Sequence, residues 1–498
     1  MSHIQNTFML LAPELVLFGW IMLVMMFDLF VQQKSSALRL IAMLGLITSA
    51  LFSLRLQSET ELASLHLAEQ FASVVTVDRL ALFLKTIILS LAAATLWFCD
   101  DAFEEKNPNP AEFYLLVMLA SLGGCLCVSS QELITFFLAF ELLSLPLYAL
   151  TAYRRYQSKS AEAGLKYFLM GALSSAIMLF GMSWVFGSTG STQLAQVVEV
   201  FQSQTSANHG LLLGLILIFV GLAFKVAAAP FHNWAPDAYS GAPTIVASFL
   251  STAPKAAIVG FTIRLYWCQM GVTNQFYQLP MDWIVLFSIL SLLSMFLGNL
   301  SALPQQDCKR ILAYSGIAQI GYLFLGLTSC SKAFGAGSLG LGSTLFYLAG
   351  YVVANFLAWT SLALACKDRP DCTLKSLNGL WKRSPLLAFC LAISLMSLAG
   401  VPPLVGFAGK FGLFVSIYQA KLPFLMVFGV INSVIALFYY FKILKAAFFS
   451  DIAAPEGTIA LHVPIRFGLQ LFCFLIVVLG LSPSLLNTCQ SIAISVLP

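Results

Sequence analysis

The 498-residue chain is 59% hydrophobic and 10% charged, with a mean hydropathy of +0.88, whereas soluble domains run at about 45–50% apolar and about 25% charged. No water-soluble fold hides that much apolar surface, which excludes a soluble enzyme. The net charge of +4 lies in short basic loops, where it orients a membrane protein and does not point to nucleic acid.

Apolar stretches of about 20 residues, the length that crosses a hydrocarbon core of about 30 Å as a helix, recur along the chain. They are predicted near 8–30, 37–55 and 79–98, then 113–129, 132–151, 161–187, 210–231 and 242–268. Further spans fall near 282–302, 309–329, 340–366, 385–419 and 422–447, and a last one near 466–489. The expectation is an all-α polytopic membrane protein of about 14 transmembrane helices, because lipid leaves the backbone no hydrogen-bond partner but itself. The first stretch runs too long and starts too late for a cleaved signal peptide.

With the N-terminus outside, the inner loops collect Lys34, Arg39, Lys106, Arg154, Arg155, Lys159, Lys309, Arg310, Lys367, Arg369, Lys375, Lys382, Arg383, Lys445 and Arg466. The outer side keeps chiefly Arg55, Arg79, Lys332 and Lys421. The positive-inside bias therefore puts both termini on the outer side of a cell inner membrane. The 11 cysteines show no CxxC spacing for zinc or an iron–sulfur cluster, so they read as small, soft core residues. Neither a dinucleotide fingerprint nor a P-loop occurs, so no nucleotide is expected.

The informative residues are charges deep in apolar spans, since each costs several kcal/mol to leave in hydrocarbon and so faces the bundle interior or a wet cavity. Glu141 lies about ten residues from either end of its span. Lys225 is the only charge between His209 and Asp237 if histidine is neutral, Lys255 is central in its span, and Lys410 is the only charge between Arg383 and Lys421. Lys85 and Lys442 read instead as side chains that snorkel from span ends. Lys166, nearer the inner end of its span, is open to either reading.

Two of these lysines stand beside expected helix breaks. Pro230 and Pro236 follow Lys225, and Gly400-Val401-Pro402-Pro403 precedes Lys410; proline removes a donor from the helical ladder. Interrupted helices in corresponding halves of a chain point to an ion path. The separation 410 − 225 = 185 residues suggests two inverted five-helix repeats with broken helices. The expected organisation is an N-terminal three-helix segment at 1–100, a first repeat at 110–268, a second at 280–447 and a C-terminal span at 448–498.

Desolvation disfavours the charged form of an isolated amine. A carboxylate at about 4 Å restores it by roughly 4 kcal/mol at an effective dielectric of about 20, or about three pKa units. Glu141 is therefore expected to modulate Lys225, with Lys255 as a relay and Lys410 as a second station. His232, in PFHNWAPDAY, suits a proton shuttle, and a hydrogen-bonded structural histidine fits its position as well.

At these residues the chain resembles the antiporter-like membrane subunits of respiratory complex I (NADH-quinone oxidoreductase). The motifs are PFHNWAPDAYSGAP, STAPKAA, KRILAYSGIAQIGY and GVPPLVGFAGKF. The lysine at 410, the short tail and the opening LAPELVLFGWIMLVMMFDLF with Glu14 and Asp28 are similar to the subunit N branch. The resemblance covers essentially the full length and implies a proton channel of a membrane arm. Within it Glu141 and Lys225 form the paired site where protons come in, Lys166 and Lys255 lie along the relay, and Lys410 is the exit-side station. It also implies that NADH, flavin, iron–sulfur clusters and quinone are handled by other subunits, with no cofactor on this chain. The implied partners are lipid and other membrane-arm subunits, including a neighbouring antiporter-like one. Two other classes fit the same residues: a secondary cation/proton antiporter subunit without redox chemistry, and a scaffold whose buried charges only hold helices in register.

Overall fold

Every one of these apolar stretches forms helix, and no strand occurs among the described residues. The structure is a computed structural model that describes residues 2–30, 35–58, 73–102, 110–203, 208–269, 283–330, 337–367, 369, 371–450 and 457–496. Lys34, Lys106 and Lys332, used above for orientation, lie outside the described residues.

The N-terminal helices are α1 (Ala12–Phe30), α2 (Ser35–Ser58) and α3 (Arg79–Ala102). Then come α4 (Pro110–Ser129), α5 (Leu133–Thr151), α6 (Ser158–Thr189), α7 (His209–Lys225), α8 (Trp234–Gly241), α9 (Thr244–Leu250) and α10 (Ala253–Ile263). They are followed by α11 (Trp283–Ala302), α12 (Cys308–Thr328), α13 (Gly337–Ala365), α14 (Pro385–Ala399), α15 (Val405–Gln419), α16 (Pro423–Phe449) and α17 (Val463–Leu481). Among the described residues twelve stretches are long and apolar enough to cross a membrane, α9 and α10 counting together as one. The shorter apolar helices α7 and α14 fall in the other two expected spans, each of which is broken.

Local chemistry sets several of these ends. The Asn208 side chain accepts from the Leu211 amide at 3.0 Å and caps α7, and Asp307 accepts from the Lys309 amide at 2.8 Å and caps α12, each satisfying donors the first turn leaves free. α7 stops at Lys225, where Ala227 turns to φ 60° ahead of Pro230, and α14 stops at Gly400, at φ 90° ahead of Pro402 and Pro403. Both proline-marked breaks therefore fall where the sequence puts them.

Burial sorts the helices into an interior and a rim. The apolar stretches of α9–α10, α12 and α13 are 94% buried, against 28% in α1 and α17. Side chains on the first three are almost all enclosed by protein, so polar groups placed there are kept from lipid. Among the described residues the cysteines largely behave as small core residues, eight of them buried and outside any disulfide. Cys366 and Cys372 differ: they are joined in a disulfide across the turn after α13.

Candidate functional site

Lys225 and Lys410 are each 3% exposed and Lys255 is 1% exposed, so all three point into the bundle. Each lies at or beside an interruption, and each is held differently.

Lys410, on α15, folds back across the break. Its Nζ donates to the carbonyls of Leu398 at 3.0 Å and Ala399 at 3.1 Å, and lies 4.5 Å from the ring centre of Tyr322. Those carbonyls end α14 and are among the four that a helix leaves without an internal partner, at its negative pole. Gly400 makes the approach possible: its φ of +90° is one that L side chains rarely adopt, and a Cβ there would stand 3.1 Å from Lys410 Cδ.

Lys255, on α10, reaches α12 and α13. Its Nζ donates to the Gly316 carbonyl at 2.9 Å and the Tyr351 hydroxyl at 3.3 Å. The Tyr351 hydroxyl donates in turn to the Ser251 carbonyl at 3.0 Å, at the junction between α9 and α10. Gly316 is a second place where a side chain would intrude, since its Cβ would sit 3.1 Å from the lysine nitrogen.

Polar side chains continue from this point to Lys410. Beside Gly316, Ser315 hydrogen-bonds the Tyr440 hydroxyl, which accepts from Gln319 Nε2 at 3.2 Å. The same Gln319 amide donates at 3.1 Å to the Leu398 carbonyl that also binds Lys410, and its Oε1 accepts from Tyr347. Lys255 and Lys410 thus lie at the two ends of one run of buried polar groups.

Lys225 ends α7, but the carbonyls there are taken by other groups: Ala227 donates to Phe224 at 2.9 Å and Ala228 to Ala223 at 2.8 Å, while Trp234 Nε1 donates to Phe224 at 2.9 Å. The lysine nitrogen has no hydrogen-bond partner among the described residues. It sits between the rings of Tyr148, Tyr167 and Phe140, with centroids at 5.0, 5.1 and 5.4 Å, an aromatic enclosure that favours a cation. Trp234 stacks on Tyr167 at 4.3 Å, so the segment after the break fixes one wall.

Glu141, on α5, is half-buried and accepts from Ser175 Oγ at 2.6 Å. It lies within electrostatic reach of Lys225 without forming an ion pair at 4.0 Å or less. No hydrogen bond among the described residues joins Lys225 to Lys255.

The remaining expected residues lie elsewhere. Lys166 is 47% exposed and paired with Glu162 at 2.8 Å and Asp237 at 3.0 Å, beside a cavity of about 260 Å³ whose lining includes Arg154, Lys159, Asp307 and Arg310. Burial pushes the Asp237 carboxyl up, yet hydrogen bonds from Lys166 and Arg310 prevail and hold it below the usual carboxylate range. His232 is half-exposed in the segment between α7 and α8, with Nδ1 buried and lacking a hydrogen-bond partner.

One expectation is overturned. Lys85 does not snorkel: it is fully buried and meets Glu14 of α1 at 2.5 Å, because α3 is an interior helix at that depth and offers the ammonium no way out. Lys442 lies about two turns before the end of α16 and donates to the Leu303 and Gln305 carbonyls just past the end of α11 at 3.2 and 2.8 Å. Sequence reading also missed Tyr148, Tyr167, Gln319, Tyr347 and Tyr440. Gln319 had a signal, an amide inside an apolar span; the tyrosines had none, since a buried tyrosine is ordinary core.

Residues 130–436 match the family described as NADH:quinone oxidoreductase/Mrp antiporter, TM. The chain is 38% identical over 410 residues to NADH-quinone oxidoreductase subunit N of Moorella thermoacetica, covering 82% of this chain and 83% of that one. With subunit N of Nitrosomonas europaea it shares 34% over 478 residues, 95% of each chain. Its structure is similar to that of a chain in respiratory complex I from Thermus thermophilus with bound aureothin, at TM-score 0.74 and 29% identity, over 95% and 97% of the two chains. A chain of the Mrp complex from a Dietzia species shares the fold at TM-score 0.81 and 20% identity, over 99% and 97%.

Proposed function

We propose that this chain, which belongs to the NADH-quinone oxidoreductase subunit N family, carries protons through the membrane arm of such a complex along its buried lysines. It is an antiporter-like membrane subunit, and the observation that supports a proton path is the run of polar groups from Lys255 on the Gly316 carbonyl, past the neighbouring Ser315, Tyr440 and Gln319, to the Leu398 carbonyl that Gln319 shares with Lys410. Polar and ionisable side chains this deep in a membrane protein mark ion and proton paths by default.

In this reading Glu141 governs the charge on Lys225 by its field, Lys255 relays, and Lys410 holds the proton before release. Glu141 is half-exposed in the middle of an apolar helix; a carboxylate is poorly tolerated by lipid, so a neighbouring membrane subunit covers that flank. Lys166 and His232 are left to the surface ion pairs and to the shape of the break. Moving one charge against 100 mV takes about 2.3 kcal/mol, and that work comes from partners. We place the chain in a bacterial inner membrane with both termini outside.

The test is a Lys225→Met complex reconstituted in vesicles. Assembly is retained and proton uptake driven by NADH falls at least tenfold; uptake equal to that of the unsubstituted complex removes the proposal.

A further inference from the structure

Two of the most enclosed charges lie outside both repeats. Lys85 on α3 is 0% exposed and Glu14 on α1 is 7% exposed at the side chain, with Nζ and Oε1 2.5 Å apart. Beyond each other they have nothing: neither Glu14 oxygen nor the Lys85 nitrogen has a hydrogen-bond partner among the described residues. A pair kept to fasten helices together is expected to have its remaining lone pairs and N–H groups satisfied, because desolvation otherwise exceeds the mutual attraction. The neighbouring pair meets that standard. Asp78 takes Arg264 in two hydrogen bonds of 2.8 and 3.0 Å and the Ala81 amide at 2.8 Å, and Arg264 also donates to the Val128 carbonyl at 3.1 Å.

Position links the two pairs. Asp78 stands one residue before α3, the helix of Lys85, and lies within electrostatic reach of it. Arg264 follows directly on α10, the helix of Lys255. The Cys125 thiol of α4 also lies in electrostatic reach of Glu14 and Lys85. Asp78, at 30% side-chain exposure, is the member of the cluster that opens to the surface.

We propose that Glu14 and Lys85 form a proton-holding site outside the two repeats, coupled through Asp78 and Arg264 to the helix that carries Lys255. The pair exchanges one proton internally: Lys85 Nζ gives it to Glu14 Oε1, leaving a neutral amine and a carboxylic acid, and takes it back. A second proton arriving from the surface leaves the ammonium beside the acid, and its net positive charge is felt along α3 and α10. The inference rests on the proton-carrying reading above.

The test uses the whole complex in vesicles, with Lys85→Arg and the double variant Glu14→Gln/Lys85→Met. Arginine keeps the charge but does not give up its proton, and the double variant leaves no unpaired charge. Both are expected to assemble, and protons taken up per NADH fall at least twofold in each. Infrared difference spectra between resting and turning-over complex contain a carboxyl band that Glu14→Gln removes. Normal uptake by Lys85→Arg, or the absence of any Glu14-dependent band, overturns the proposal. If Lys225→Met pumps normally the parent reading fails too, whereas a silent Lys225→Met beside a fully active Lys85→Arg removes this inference alone.

Discussion

Lys225 and Lys410 occupy the two proline-marked breaks, yet their ammonium groups are held in opposite ways. Lys410 rests on two carbonyls at the end of α14, with no carboxylate paired to it. Lys225 is denied the equivalent carbonyls by Trp234 and the turning backbone and is left among aromatic rings, answering to Glu141. A fixed dipole holds Lys410, whereas in the proposed reading a carboxylate that can be protonated or screened governs Lys225. On that reading the break at Lys225 is the one that outside events can switch, and the break at Lys410 keeps a constant preference for a cation.

Reversing the charge at the fixed end is expected to have the largest effect. Lys410→Glu sets a carboxylate against the Leu398 and Ala399 carbonyls, an uncompensated buried charge that costs on the order of 3–5 kcal/mol. The subunit should be lost from the purified complex at a lower temperature, and pumping should stop. A Lys410→Glu complex with unchanged melting would mean that the carbonyl pair does not hold Lys410.

Next comes Glu141→Gln, which removes the switch but keeps the hydrogen bond to Ser175. The complex should assemble normally while proton uptake drops about tenfold, a change in barrier of about 1.4 kcal/mol. Should Lys225 instead depend on its rings alone, Glu141→Gln would pump as before and Tyr148→Leu would carry the loss.

The smallest effect is expected at the surface. Asp237→Asn leaves Lys166 with Glu162 alone and removes the Asp237 pair of Arg310, partly exposed pairs that contribute little to stability. Thermal stability should shift by a few degrees at most, with pumping intact; a collapse of pumping would return Lys166 to the relay.

Much of this site was legible in the order of residues. A lone charge deep in an apolar span has no short route to water, so Lys225, Lys255 and Lys410 had to face inward, and Pro230 and Pro402 had to break the helices beside them. Lys85 was misread because the distance to a span end was taken as the distance to water. That holds for a rim helix and fails for one enclosed by neighbours, as α3 is. The aromatic enclosure of Lys225 and the seam through Gln319 and Tyr440 join α5, α6, α7, α12, α14 and α16, and no local pattern records which of these helices touch.

Hydrophobic run length and helix-breaking prolines act within about twenty residues, so the linear chain settled the helical stretches, their interruptions and the burial of Lys225, Lys255 and Lys410. Which partner each ammonium meets depends on contacts between residues far apart in sequence, such as Glu14 with Lys85 or Lys255 with Gly316. Those were settled by helix packing, where a missing Cβ at Gly316 or Gly400 decides whether a lysine reaches its carbonyl.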